Sequence, residues 1–222
     1  MSLINLSMEK DDRLSSLRSL LAEKFPIVST PAASILSTGH QALDENEGGL
    51  RKGAMTELVG GISAGGIFLE IVLEFLRREK CFAALIDTKN GFDPQDSHPV
   101  LTRLIWVMCQ QVSQAIKVAD LLIRDGNLSL VLLDLQSAEA KELGKIPAST
   151  WHRFQRLLES TNTVFEVMTS RPLAQGASTR IKADQSWKLP VMREKRSALI
   201  QRFRPKVFSR CHFSMEPERK SA

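Results

Sequence analysis

Cysteine is scarce in this sequence. Only Cys81, Cys109 and Cys211 occur among the 222 residues, and they are far apart and odd in number. Disulfide-linked domains and zinc modules need several cysteines at close, regular spacing, so we expect inert thiols and no metal site. The four histidines are equally dispersed, and no hydrolase-type arrangement of histidine with serine or cysteine is visible.

Long apolar runs are also lacking. No uninterrupted run approaches the roughly 20 residues that a membrane-spanning helix needs. The first residues, MSLINLSMEKDDR, lack the charged start, apolar core and small-residue cleavage site of a signal peptide. We therefore expect a cytoplasmic protein. With 43% hydrophobic residues, the chain has the composition of a globular protein with one domain of roughly 150–200 residues and short extensions.

Charge is unevenly distributed along the chain. The formal net charge is +5. Residues 176–222 hold 12 Lys/Arg and 4 Asp/Glu, a net charge of +8, which leaves −3 for residues 1–175. A mildly acidic body with a basic C-terminal segment is typical of proteins that bind nucleic acid or another polyanion. A solvated face with compensating charges remains the alternative.

Apolar segments that are typical of strands alternate with helical patterns from Ile35 onward. The predicted strands are 56–59, 81–86, 104–108, 128–133 and 163–169, with helices after the first strand, at 112–124 and at 151–159. Apolar strands that alternate with helices predict an α/β fold, with a mainly parallel sheet covered by helices on both faces. Ligands bind such sheets at the carboxyl ends of the strands, where the sequence places a glycine-rich run, Asp87 and Asp134.

The sequence predicts that the chain has three parts. Residues 1–34 hold an amphipathic helix at 11–24 and a linker, and its leucine stripe could pack on the core or bind a partner. Residues 35–196 form the core domain. Residues 197–222 form a basic C-terminal arm and tail. At the end of the core, 181–193 is predicted as one or two strands, and 198–214 as a strand pair or an arm that orders on binding.

The glycine-rich run from Gly60 to Ile67 follows a predicted strand and precedes a helix. This is the setting of the phosphate-binding loop G-x-x-x-x-G-K-[ST], whose lysine contacts phosphates and whose hydroxyl holds Mg²⁺. Gly60 and Gly65 have the spacing of the two framing glycines, but Gly66 replaces the lysine and Ile67 replaces the hydroxyl. Ser63 is the only hydroxyl inside the run. We expect the shape of the loop without its chemistry.

Further blocks surround this run in a characteristic order. They are Ser37-Thr38-Gly39, Leu43-Asp44, Gly48-Gly49-Leu50, Gly53 and Glu57, then the strand-and-turn segment 81–94, then the segment 115–134 that ends at Asp134. Over roughly residues 35–193 the chain resembles the RecA-type recombinases. The resemblance implies a RecA-like core with helices on both faces of the sheet. It also implies that Asp134 stands at the second acidic, magnesium-holding position.

The departures from the family pattern concern its chemistry. The catalytic glutamate of the family, two residues after a strand-end aspartate, corresponds to Lys89, which follows Asp87. With the phosphate lysine, the metal hydroxyl and this carboxylate all absent, ATP hydrolysis is not expected, nor is ATP or magnesium as a cofactor. Asp87, Lys89 and Asp134 are then vestigial positions. We expect Lys89 to neutralise Asp87 or Asp134 beside the empty phosphate site.

Among short RecA-like proteins without a working nucleotide loop, the chain is most similar to the ImuA-like accessory proteins of SOS mutagenesis. It shares their N-terminal leucine-rich helix, their TG…LD…GGL…G…E block and their basic end. This resemblance implies a catalytically inactive adaptor in DNA repair and translesion synthesis, with translesion polymerase-like or RecA-like proteins as partners. Two alternatives remain open, an atypical ATPase that uses Lys80 or Lys89 and a SulA-like inhibitor of cell division that acts by protein contact.

Basic residues cluster in the loop after the strand at 163–169 and in the C-terminal segment. RecA proteins bind single-stranded DNA through such loops. The resemblance therefore implies either single-stranded DNA or an acidic protein as the partner. The predicted contacts are Arg171, Arg180, Lys182, Lys188, Arg193, Lys195, Arg196, Arg202, Arg204 and Lys206. The alternative is that the interleaved phenylalanines are core residues and the cations are merely solvated.

Overall fold

The computed structural model describes residues 34–45, 48–88, 90–92, 99–185, 187, 191 and 193–209. All of them belong to the second of the two units into which the chain divides, residues 33–222. The predicted helix at 11–24, the vestigial position Lys89 and the predicted contact Lys188 lie outside the described residues. In the part that is described, no helix is long and apolar enough to cross a membrane.

The elements follow the alternation that the sequence predicts. The strands are β1 Ile35–Leu36, β2 Leu50–Arg51, β3 Ala54–Gly60, β4 Ala83–Thr88, β5 Leu104–Cys109, β6 Leu130–Asp134, β7 Val164–Thr169, β8 Thr179–Ala183 and β9 Lys206–Ser209. The helices are α1 Gln41–Asp44, α2 Ile62–Glu79, α3 Val112–Asp125, α4 Ala140–Leu143, α5 Ala148–Leu158 and α6 Arg196–Arg202. A 3-10 helix, Pro99–Arg103, precedes β5.

The main sheet of the described strands has seven members in the order β5-β4-β6-β7-β3-β8-β9. Every neighbouring pair is parallel except β8 and β9. Its central strands are buried along their whole length, which explains why they appear as continuous apolar runs rather than alternating ones. The mainly parallel α/β fold is therefore confirmed.

Two apolar layers cover the two faces of the sheet. One contains α2, with Phe68, Leu73 and Leu76 against Leu58 and Leu132. The other layer contains α3 and α5 and packs side chains of those helices on the opposite face. α3 ends where Gly126 takes a φ of +68°, a left-handed conformation that glycine adopts without strain. Helices therefore cover both faces of the sheet, as the sequence predicts.

The C-terminal segment differs from the prediction. Of the one or two strands predicted at 181–193, the described part contains one, β8, which begins at Thr179 and ends already at Ala183. Residues 196–202 form α6, and only Lys206–Ser209 joins the sheet as a strand. Apolar and basic residues nearly alternate in this segment, which favoured the prediction of strands. The spacing of Leu199, Ile200 and Phe203 is nevertheless helical, and all three side chains pack on the α2 layer. Phe203 is fully buried and is therefore a core residue.

Candidate functional site

A small cleft opens at the carboxyl ends of β3, β4 and β6. Gly65 and Gly66 of α2 form one wall, and Phe92, Asp134 and Gln136 form the other side. The structure therefore brings the predicted glycine positions together with Asp134. The volume of the cleft is about 160 Å³, whereas small-molecule sites usually have about 300–1,000 Å³. A whole nucleotide would need the walls to move apart.

The glycine-rich run does not form a loop. α2 begins at Ile62, directly after Gly61, and the N–H groups of Ala64 and Gly65 donate to the Gly61 carbonyl at 2.9 and 3.3 Å. The prediction of a loop that keeps its shape, from Gly60 through Ser63, Gly65 and Gly66 to Ile67, is therefore wrong. From Ala64 onward the N–H groups bond within the helix, so they are not available to surround a phosphate.

The side chain of Ile67 shows what holds this helix in place. It is 7% exposed and packs in the α2 layer beside the fully buried Phe68. A glycine costs about 1 kcal/mol in a helix relative to alanine, which is why the sequence favours a loop here. Burial of the two apolar side chains, at about 1.5–3 kcal/mol each, offsets that cost.

Gln136 closes the inner end of the cleft. Its side-chain amide donates to the carbonyl oxygens of Gly60 and Gly61 at 2.8 and 2.9 Å. A Cβ on Gly65 would overlap the side-chain oxygen of Gln136, so a larger residue here would displace the Gln136 side chain. Sequence reasoning missed Gln136, although a polar residue two positions after a strand-end aspartate was a usable signal.

Asp87 is fully buried and ties down the segment that follows β4. One carboxylate oxygen accepts the N–H of Gly91 at 3.0 Å. The other accepts the N–H of Phe92 at 3.0 Å and the indole N–H of Trp106 at 3.2 Å. These bonds occupy both oxygens, so Asp87 acts as a loop cap.

Asp134 lies beside Asp87 in the register of β4 and β6. The pKa of Asp134 is raised to about 6, chiefly by burial and to a lesser extent by the nearby charge of Asp87, while the hydrogen bond from the Gln136 N–H opposes the shift. Asp134 is therefore mostly ionised at neutral pH but close to its titration. The predicted partner Lys89 lies outside the described residues, so its neutralising role stays a prediction.

The Ser-Thr-Gly and Leu-Asp block forms a turn around Asp44. The Asp44 carboxylate accepts hydrogen bonds from the hydroxyls of Ser37 and Thr38 and from the N–H groups of Thr38 and Gly39, all at 2.8–3.0 Å. His40 then fixes this turn to α6, because its Nε2 lies 2.9 Å from the Ile200 carbonyl oxygen. The spacing of this block is thus explained by structure.

A buried ion pair links three parts of the sheet. The Glu57 carboxylate of β3 accepts the N–H groups of Leu173 and Ala174 at 2.6 and 2.9 Å and the Thr169 hydroxyl at 3.1 Å. Arg180 of β8 pairs with its other oxygen at 2.6 Å. Arg180 was predicted as a DNA or partner contact, but its side chain is only 19% exposed and serves this internal pair.

Glu166, in the middle of β7, is a second buried carboxyl that the sequence analysis did not single out. It is fully buried, and neither oxygen has a well-formed hydrogen bond. Burial chiefly raises its pKa well above the usual range, and the charge of Glu57 adds to the shift, whereas the backbone of Leu58 lowers it. Burial without a well-formed hydrogen bond therefore disfavours the ionised form of Glu166.

The other predicted basic contacts fall into two groups. Arg196 pairs with Glu70 at 2.7 Å, Arg202 with Glu194 at 3.1 Å, and Arg204 donates to backbone carbonyls of its own turn. Lys182 lies over the Phe208 ring. The second group is exposed, and no acidic partner is found for it among the described residues. Its members are Arg171, Arg193, Lys195 and Lys206. Their role as contacts stays a prediction.

No cluster of metal-ligating side chains occurs among the residues that the structure describes. Cys81 is half-buried and Cys109 is buried, and both are free thiols. Burial raises the pKa of each thiol, which disfavours the reactive thiolate form. Cys211 lies outside the described residues.

Sequence comparison relates this chain to RecA proteins. No family model matches the chain. Protein RecA of Rubrobacter xylanophilus is 33% identical over 116 residues, which cover 50% of this chain and 33% of that protein. Protein RecA of Clavibacter michiganensis subsp. michiganensis is 30% identical over 111 residues, 47% of this chain and 31% of that protein. The chain thus spans about a third of the length of the curated relatives that it matches.

Structural comparison finds a similar fold in a recombinase. The crystal structure of the RadB recombinase matches with a TM-score of 0.56 and 18% identity, over 69% of this chain and 85% of that chain. The predicted RecA-like fold is confirmed by this match. The chain is thus similar to RecA proteins over about half its length, and its described part has a RecA-like fold.

Proposed function

We propose that this chain is a catalytically inactive RecA-like adaptor in DNA repair or damage tolerance. In this role it resembles the ImuA-like accessory proteins of translesion mutagenesis. It would act in the cytoplasm by binding translesion polymerase-like or RecA-like proteins, with single-stranded DNA as a further ligand. Neither ATP nor magnesium is required for this activity.

The observation that carries this proposal is the helical state of residues 62–66. Phosphoryl transfer depends on backbone donors, a lysine and a held metal ion placed around the phosphates in advance. Here the N–H groups from Ala64 onward bond within α2, Gly66 offers no cation, and Ile67 is a core residue. Gln136 then occupies the inner end of the cleft and bonds to Gly60 and Gly61.

The test is nucleotide binding and hydrolysis by the purified full-length protein. We expect no magnesium-dependent ATP binding in the micromolar range and no turnover above that of buffer. The variant Gly66→Lys restores the missing cation on the exposed side of α2, where no described atom lies within 4 Å of an added Cβ. We expect this variant to remain inactive, because the backbone cradle is still absent.

The opposite result would be clear. Micromolar binding of magnesium-ATP, with turnover that Gly66→Lys increases, would favour the atypical ATPase. The adaptor role is tested separately by pull-down of purified translesion polymerase components, with the division GTPase as the competing bait. Capture of the division GTPase alone would replace the adaptor role with inhibition of cell division.

A further inference from the structure

A second concave surface lies on the opposite side of the sheet from the cleft. It is a groove of about 610 Å³ between the start of α3 and the segment from α4 into α5. Its floor contains Val112, Ile116 and Ile146, which belong to the apolar layer under α3 and α5 or pack against it. The glycine-rich run and Asp134 do not contribute to it. We call this surface the α3–α5 groove.

Positive charge surrounds the apolar floor. Lys117, Lys145 and Arg153 line the groove, against Glu142 as its only acid. Arg153 is already paired with Asp120 at 2.9 Å. Lys117 and Lys145 are both exposed, and within the described part of the chain neither has an acidic partner. The groove therefore presents two exposed lysines, unpaired with any described acid, beside buried and half-buried apolar side chains.

The backbone adds to the same electrostatic preference. Gln111 and Val112 at the start of α3, and Pro147 just before α5, all line the groove. Neither helix has a side-chain cap at its first turn. The positive ends of both helix dipoles thus lie at the groove and favour a negatively charged occupant.

The lining favours a peptide over nucleic acid. Sequence-tolerant binding of single strands relies on aromatic side chains on which bases stack, and no aromatic residue is among those that line the groove. A concave aliphatic floor with a charged rim instead fits an apolar side chain that anchors a charged segment. The volume of about 610 Å³ is sufficient for one or two such side chains.

We propose that the α3–α5 groove binds an acidic segment of a partner protein through an aliphatic or aromatic anchor side chain. The anchor contacts Ile116 and Ile146, and the acidic groups of the partner lie near Lys117 and Lys145. The site does not depend on the state of the nucleotide cleft. It therefore stands whether or not the protein hydrolyses ATP.

The experiment measures fluorescence anisotropy of labelled short peptides with the full-length protein at low salt. The probes are Asp/Glu-rich peptides that carry one Leu, Ile, Phe or Trp anchor, the same peptides with the anchor replaced by Ser, and a thymidine oligonucleotide. The test variant is the pair Lys117→Glu and Lys145→Glu. The matched control is Lys141→Glu, an exposed lysine of α4 that does not line the groove.

We expect anchored acidic peptides to bind about tenfold more tightly than their Ser counterparts, and the double variant to lose about tenfold or more in affinity. Lys141→Glu should bind like the wild type. Ile146→Ser should weaken only the anchored peptides, and its melting temperature reports whether it still folds. The proposal is overturned if no anchored peptide binds, if both lysine variants behave alike, or if the double variant loses oligonucleotide rather than peptide binding.

Discussion

Burial of the Asp134 carboxyl makes the stability of the protein depend on pH. Its folded-state pKa of about 6 lies above the usual value of 3.8, chiefly because of burial. The folded protein therefore holds this proton more tightly than the unfolded chain does. The contribution of protonated Asp134 to the free energy of unfolding is fully present below about pH 3.8 and is lost as the pH rises through 6.

The variant Asp134→Asn should remove this loss. An amide oxygen can still accept the Gln136 N–H, but it carries no charge to desolvate. We expect the free energy of unfolding to rise by about 1–3 kcal/mol at pH 7.5 and to change little at pH 4. Urea denaturation at several pH values measures this, with the exposed Asp184→Asn as control. Equal pH profiles for wild type and Asp134→Asn would contradict the assignment.

At the scale of elements, Glu57 connects β3 to the loop after β7 and to β8. It accepts two backbone N–H groups of that loop and pairs with Arg180 in a buried setting. A buried carboxylate that loses its only cation keeps the desolvation cost without the attraction. The pair therefore ties the sheet to the loop after β7, which was predicted to contact DNA.

Arg180→Ala should accordingly destabilise the protein by about 3–5 kcal/mol in urea denaturation. Lys182→Ala, two residues along the same strand, removes only a cation–π contact with Phe208 and should cost less than about 1 kcal/mol. Combining Arg180→Met with Glu57→Gln should recover part of the loss, because the neutral amide oxygen still accepts the loop N–H groups. A cost for Arg180→Ala no greater than that for Lys182→Ala would show that the pair contributes little.

The strands of the central sheet could be predicted from sequence because each is an uninterrupted apolar run, such as Leu130–Asp134. The start of α2 could not. Four glycines in eight residues favour a loop locally, whereas the helix depends on core packing of Ile67 and on Gln136, which is far away in sequence. α6 was not predicted for the same reason, because its apolar residues form one face of a helix only where they pack against α2.

The site was partly predictable in the same sense. Asp87 and Asp134 were placed together because parallel strands end at one edge, and the structure confirms their pairing in register. The bonds that fix them could not be predicted, since the indole N–H of Trp106 reaches Asp87 from another strand and the backbone N–H of Gln136 reaches Asp134 only through the local turn. Sequence could not indicate that Glu57 and Glu166 would be buried near one another, because their proximity arises from strand order.

Across the whole molecule, charge separates into neutralised and available parts. Arg180, Arg196 and Arg202 are each paired with a glutamate. Lys195 and Lys206, by contrast, are exposed without any described acid paired with them. The net charge of the C-terminal segment therefore overstates the number of cations that are free to meet a phosphate.

The difference between paired and unpaired cations leads to a specific prediction about how DNA binding depends on salt. Each phosphate contact with a single strand contributes roughly 0.7 to the negative slope of log affinity against log salt. If Lys195 and Lys206 both contact DNA, the pair Lys195→Ala and Lys206→Ala should reduce that slope by about 1.4. A labelled oligonucleotide titrated at several salt concentrations measures it.

The matched control replaces Arg196 and Arg202, which have the same charge and lie nearby in sequence but are already paired with Glu70 and Glu194. Their loss also frees a glutamate, so a modest general weakening is expected, but the slope should change less than in the lysine pair. Equal slopes for both pairs would mean that pairing does not decide which cations reach the phosphates. Binding that ignores salt would exclude phosphate contacts altogether, because displacing counterions from a polyanion always makes its affinity depend on salt.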